Sequence, residues 1–397
     1  MTCNPEWRYR LIMIKPSSLA AFAEQKLDAL RDAALDRHLH PTARGAGMTA
    51  RRHGQDLISF SDNDYLGLST DPRLIEAAVD ATRRYGAGAG ASRLVSGDHP
   101  LYARLEARLA AFKGTEDAVV FGSGYLANIG SVPVFVGRED LIVIDEWAHA
   151  CLHSGARLAQ SRCLRFPHND MHSLDHLLAT HRRDHRHALI ITDGVFSMDG
   201  DQAPLAELTA LAQKHQGWLM VDDAHGVGVL GKGRGTPAQQ NQQPDLLIGT
   251  LSKALGSYGG YVAADRPVIE LIRNRARSLI YTTGLPPAAI GAALAALDIM
   301  ENDPDLCAKP LMAAQYFCQA LGLPEPQSAV VPLILGSAEK ALAAQAKLLA
   351  RGYLVVAIRP PTVPDGTARL RFSFSASHRQ RDIDGLIAAL QDTGIIS

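Results

Sequence analysis

Two stretches decide the fold: Trp218-Leu219-Met220-Val221-Asp222-Asp223-Ala224-His225-Gly226 and Leu246-Leu247-Ile248-Gly249-Thr250-Leu251-Ser252-Lys253-Ala254-Leu255-Gly256. Each opens with a short apolar run and closes on acidic, imidazole, hydroxyl or amine side chains. An apolar run of strand length bounded by polar turn formers reads as a core strand. Working outward, the pattern repeats. Residues 118–121 open into Gly122-Ser123-Gly124-Tyr125, and residues 141–144 into Asp145-Glu146-Trp147-Ala148-His149. Residues 188–192 run into Asp193-Gly194-Val195-Phe196-Ser197-Met198-Asp199-Gly200, and a further strand is expected at 260–263. Helical stretches at 174–181 and 203–215 lie between some of these strands. Such alternation predicts an α/β fold with a mostly parallel central sheet and helices on both faces. Open sheets of this kind bind ligands outside the carboxyl ends of their strands, where the polar residues fall.

Composition narrows the function. The chain has 397 residues, with 40 basic against 41 acidic side chains, so no basic excess points to nucleic acid. Apolar residues make up 47% and charged residues 20%, enough to bury a large core. Five scattered cysteines without a Cys-x-x-Cys pair fit neither a disulfide framework nor a thiolate zinc site, and point to a reducing cytoplasm. The nearly uncharged stretch 118–137 is interrupted by Gly122, Gly124, Asn128, Gly130 and Pro133, so it reads as a strand–turn–helix and not a membrane span. The His-rich segment 181–187 carries charges between its imidazoles and reads as a solvated helix end, with no metal expected.

The remaining chain is read more coarsely. Residues 18–38 carry helical periodicity, and a short strand is expected at 57–60. After Leu285-Pro286-Pro287 the chain turns Ala/Leu-rich and helical through Met300, then leads to strands at 354–358 and 370–374. The expected organisation is an N-terminal helix with short strands (1–64), a large ligand-binding domain (65–290) and a smaller α/β domain (291–397).

The polar residues at the strand ends suit one cofactor, pyridoxal 5′-phosphate. It needs a lysine for covalent attachment and a carboxylate to keep its pyridine nitrogen protonated. Its phosphate needs helix N-terminal amides and hydroxyl donors, and its ring needs a flat face to stack on. Lys253, Asp222, Gly124 and Tyr125, Ser197 and Thr250, and His149 can fill these roles. Singly, each has a plain structural reading: surface lysine, helix N-cap, turn residue or core imidazole. Their joint placement is what argues for the cofactor.

Four segments carry a resemblance: 62–68 (Asp62-Asn63-Asp64-Tyr65-Leu66-Gly67-Leu68), 193–201, 221–226 and 250–256. They resemble the α-oxoamine synthases, fold-type I pyridoxal-phosphate enzymes related to aspartate aminotransferase, which join an amino acid to an acyl thioester with loss of carbon dioxide. The likeness spans about residues 20–395. Residues 1–17 match nothing in the family, leaving two readings: a floppy extension, or initiation at Met13. The stretch 357–371 is most similar to the branch of biotin synthesis that uses L-alanine and a pimeloyl thioester carried by coenzyme A or acyl carrier protein. Glycine-using branches share every cofactor residue.

The resemblance implies that Lys253 holds the cofactor, Asp222 pairs with its ring nitrogen, and His225 and Ser197 meet its phenolic oxygen. His149 stacks on the ring and later contacts substrate. Gly124, Tyr125 and Thr250 meet the phosphate, with Thr283 reaching it from the other subunit of a homodimer. Asn63 and Arg371 hold the amino-acid carboxylate, while Arg37, Arg359 and Thr362 line the acyl side. Asp193 stands where some members carry glutamate, which leaves its role open.

Overall fold

The computed structural model describes residues 18–32 and 35–396, so residues 1–17 lie outside it. The chain divides into two units, 1–42 and 43–397. In the first, Leu19–Asp32 is a helix with no buried residue.

In the second unit, seven strands form the central sheet: β1 (Asp117–Phe121), β2 (Leu141–Asp145), β3 (Arg162–Phe166), β4 (Ala188–Asp193), β5 (Trp218–Asp222), β6 (Leu246–Thr250) and β7 (Gly260–Ala264). Their order is β1-β7-β6-β5-β4-β2-β3. Neighbours from β6 to β3 are parallel, and β7 alone runs against both of its neighbours. The sheet is buried on both faces: Ile142 and Ile144 enter one apolar cluster, Leu141 and Val143 another. This two-sided burial explains the near-continuous apolar runs.

Four of the polar residues expected just after the strands, Asp145, Asp193, Asp222 and Thr250, are their last members. Asp193 pairs opposite Asp222, and Asp222 opposite Ile248, so the ladder extends one residue beyond the apolar run. The sequence reading missed β3. This edge strand carries Arg162 and Arg165, and charge on an edge blocks unwanted pairing while hiding the strand from a hydrophobicity reading. The stretch 118–137 is strand, turn and helix as expected. Its helix, Gly124–Phe135, runs through Asn128, Gly130 and Pro133. Among the described residues no helix is long and apolar enough to cross a membrane.

Beyond the helix Pro287–Asn302, a second antiparallel sheet contains β8 (Val330–Gly336), β9 (Val356–Ile358) and β10 (Ala368–Ser373), in the order β8-β10-β9. The single strand expected at 354–358 is split. Tyr353–Leu354 pairs in parallel with Gln55–Ser59, whereas β9 pairs with β10. On β10, Leu370 and Phe372 enter the small sheet's core. Strand alternation then turns Arg369 and Arg371 the opposite way, onto the 197–199 loop.

One buried ion pair braces the loop after β5. Lys113, the last residue of helix Leu101–Lys113, puts Nζ 3.3 Å from Asp223 Oδ2, with both side chains essentially inaccessible. The backbone N–H of Thr236 donates to Asp223 Oδ1 at 3.1 Å. Lys113→Ala leaves a buried charge without its partner, so urea unfolding should show a loss of about 3–5 kcal/mol. The double variant Lys113→Ala/Asp223→Asn should recover part of that loss. A single variant as stable as the parent would show that the pair braces nothing.

Candidate active site

Lys253 lies in the nine-residue turn between β6 and β7. Hydrogen bonds from Gly256 N to Lys253 O and from Ser257 N to Leu251 O, each 2.9 Å, fold that turn. The amine is 2.7 Å from His225 Nε2. Burial pulls its pKa down to about 8 against the opposing pull of Asp222. Burial also holds His225 well below the ordinary imidazole range, and the Lys253 and Arg371 charges act in the same direction.

Asp222, at the end of β5, is 5% exposed and accepts on both oxygens: Asn128 Nδ2 donates to Oδ2 at 2.6 Å and Ala224 N to Oδ1 at 3.0 Å. In the sequence Asn128 only interrupts an apolar stretch. It is fully buried one turn inside helix Gly124–Phe135 and also donates to Gly124 O at 3.0 Å. An amide side chain in an otherwise apolar helix that follows a core strand is the signal the sequence offers. Asp193 accepts the His149 backbone N–H at 2.7 Å, which places that residue at the head of helix Ala150–Ala159. Burial, with repulsion from Asp222, pushes the Asp193 carboxyl well up. The His149 ring Nδ1 lies 2.8 Å from Cys151 Sγ, and burial lowers its pKa.

At the next corner, Ser123 caps helix Gly124–Phe135 by accepting the Leu126 N–H at 3.1 Å. The first helical amides, those of Gly124 and Tyr125, have no intrahelical acceptor at this end. A Cβ on Gly260 would come within 2.4 Å of Gly124 N, so only glycine lets β7 pass here. Thr250 Oγ1 donates to Gly259 O at 2.9 Å and accepts Ser252 N at 3.1 Å, which closes the lysine turn.

Opposite this edge, Arg371 is 6% exposed. It donates through Nε to Ser197 O at 2.5 Å, through Nη1 to Ser373 Oγ at 2.8 Å and through Nη2 to Asn63 Oδ1 at 3.2 Å. All three acceptors are neutral, whereas its strand neighbour Arg369 is paired with Asp199. A buried guanidinium held only by neutral groups is suited to an anionic ligand. Ser197 thus contributes its carbonyl to the Arg371 position. His168, unremarked in the sequence, sits between Asp145 Oδ1 at 3.1 Å and Asp201 Oδ2 at 2.8 Å, ties β2 to the 193–202 loop, and is raised to about 9 by those carboxylates despite burial.

Hydrogen bonds join Asn63, Ser197, His225, Lys253 and Arg371 into one cluster by way of Tyr65, and the Asp222 charge acts on Lys253 from beside it, with His149, Gly124, Tyr125 and Thr250 along the same sheet edge. Thr283 and Thr362 are not among them. Thr283 is exposed, and its backbone bridges to Ser92. Thr362 is exposed and closes a turn onto Arg359 O at 3.0 Å. Arg37 is an exposed residue of the 1–42 unit.

A lysine amine brought near neutrality, a doubly held carboxylate and free helix amides match the donor set pyridoxal phosphate requires. The family model for aminotransferases of class I and II matches residues 55–390. The chain is 56% identical over 377 residues to 8-amino-7-oxononanoate synthase of Maricaulis maris, covering 94% of this chain and 96% of that one. A serine palmitoyltransferase from S. paucimobilis with bound PLP superposes at a TM-score of 0.87 and 30% identity, covering 96% of this chain and all of that one. An 8-amino-7-oxononanoate synthase structure from Francisella tularensis gives 0.72 at 27% identity, covering 85% and 98%. The chain belongs to the aminotransferase class I and II family and, within it, to the group of the 8-amino-7-oxononanoate synthases. Its fold is that of a fold-type I transferase, and pyridoxal phosphate is its cofactor.

Proposed function

We propose that the chain condenses L-alanine with a pimeloyl thioester, giving 8-amino-7-oxononanoate, carbon dioxide and the free thiol carrier. Arg371 carries this reading: it is a buried guanidinium with only neutral partners, linked through hydrogen bonds to Lys253, and it supplies a carboxylate site beside the reactive amine. The identity of the acyl half rests on the names of the relatives.

Lys253 would hold the cofactor, Asp222 would keep a proton on its ring nitrogen, and His225 and Ser197 would meet its phenolic oxygen. His149 would cover the ring. The Gly124 and Tyr125 amides would receive the phosphate, with Thr250 once its hydroxyl turns from Gly259, and with Thr283 of a second copy in a homodimer. When bound, pyridoxal phosphate supplies an electron sink for the pair left at Cα. Asn63 and Arg371 fix the alanine carboxylate. The freed Lys253 amine removes the Cα proton, since it already stands at the site. A bond then forms from Cα to the thioester carbonyl as the C–S bond breaks, and the carboxylate leaves as carbon dioxide. Lys253 returns a proton to Cα. Arg37, Arg359 and Thr362 are assigned to the acyl side, and the enzyme works in the cytoplasm.

Mass spectrometry of the product formed from L-alanine and pimeloyl-CoA tests this reading. Alanine should exceed glycine in kcat/KM by about 10–200-fold, the range one methyl group commands. If glycine with acetyl-CoA or succinyl-CoA is the fastest pair, the enzyme belongs to a glycine-using branch.

A further inference from the structure

Tyr65 has no role in the reading above, yet it joins that reading's two ends. Its side chain is fully buried. Its hydroxyl lies 2.5 Å from His225 Nδ1 and 3.3 Å from Asn63 Oδ1, and Asn63 Oδ1 also accepts from Arg371 Nη2 at 3.2 Å. His225 in turn reaches the Lys253 amine through Nε2. An unbroken row of hydrogen bonds therefore runs from Lys253 through His225, Tyr65 and Asn63 to Arg371.

We propose that Tyr65 is a positioning residue, whose single hydroxyl proton couples the imidazole beside Lys253 to the Asn63–Arg371 pair. Donor counting gives the mechanism. A neutral imidazole has one N–H and one acceptor nitrogen. Beside a protonated Lys253 amine, Nε2 must accept, so Nδ1–H donates to the Tyr65 oxygen. The phenol proton is then directed to Asn63 Oδ1. Two donors on Oδ1, from Tyr65 and Arg371, fix the Asn63 amide so that Nδ2 is left to donate to a carboxylate. Where Nε2 must donate, as toward the cofactor's phenolic oxygen, Nδ1 must accept, and Tyr65 is the donor that satisfies it. Burial raises the phenol pKa, so the proton is present in both arrangements. The hydroxyl thus has two positions, each set by what stands at Nε2.

The coupling rests on the proposed cofactor and carboxylate contacts, and Tyr65→Phe in the loaded enzyme tests it. The variant keeps the ring in the core and removes only the hydroxyl, so circular dichroism and thermal unfolding should show the native fold. Two readouts are expected to move. KM for alanine should rise about tenfold, the change expected on losing one hydrogen bond, while KM for the thioester stays unchanged. The pH midpoint of the cofactor's visible absorbance should rise by about half a unit or more, because a weaker donor at the phenolic oxygen disfavours its anionic form. An unmoved midpoint overturns the coupling. So does an equal rise in both KM values, which would mark general loosening. If the parent enzyme makes no condensation product, the functional reading fails separately. The absorbance midpoint, together with amino-acid binding followed by the same absorbance, then decides the role of Tyr65.

Discussion

Lys253→Ala is expected to lower turnover to background, a loss of at least about 10⁴-fold, because in the proposed mechanism this one side chain is both the attachment point and the group that moves the Cα proton. Borohydride treatment of the parent enzyme should fix the cofactor to a peptide containing Lys253. The variant should yield no such peptide, and an adduct at another lysine would reassign the site. The pH dependence follows from the amine itself. Burial brings it to about 8, and only the unprotonated amine can add to an aldehyde. Uptake of pyridoxal phosphate by cofactor-free protein should therefore quicken as pH rises through about 8 and level off above it.

Asp222→Asn should cost at least about a hundredfold in rate, the scale of losing one preorganised electrostatic partner. The carboxylate accepts from Asn128 on one oxygen and from Ala224 N on the other. An amide can accept on only one side, so the variant sets donor against donor as well as losing the charge. The adjacent Asp223 is a poor substitute, since it is already engaged by Lys113 and by the Thr236 N–H. Near-normal turnover in a folded Asp222→Asn variant would transfer the role to another group.

The parts of this architecture that were legible in sequence are those that local patterning controls. Strands buried on both faces appear as apolar runs, and the polar residues at or just beyond their ends stand out, which is what makes Asp222 and Lys253 candidates from sequence. Edge strand β3 was invisible because solvent-facing arginines break its pattern. β8 carries Pro332 and ends at Gly336, residues that argue against a strand when no partner is known. The hydrogen-bond row through Tyr65 was illegible for a different reason. Its members stand at positions 63, 65, 225, 253 and 371, and only the folded chain brings them together. Asn128 was hidden as well, and Asp193 was visible without its role: each holds another residue of the cluster's edge, Asp222 and His149, a relation that no motif records.

The turn that carries Lys253 has a kinetic consequence. It leaves the sheet at Thr250 and re-enters it at Gly260, which pairs directly opposite Thr250. Bonds from Thr250 and Ser252 to Gly259 O draw the two stems together. In the proposed reaction, an amine on so short a leash would not diffuse away after a substrate amine took its place. It would stay at an effective concentration far above any free base, of the order that intramolecular reactions reach at about 10⁵ M and beyond. The lone reversed strand, β7, is what shortens the leash: a parallel strand there would have required a crossover of a dozen residues or more.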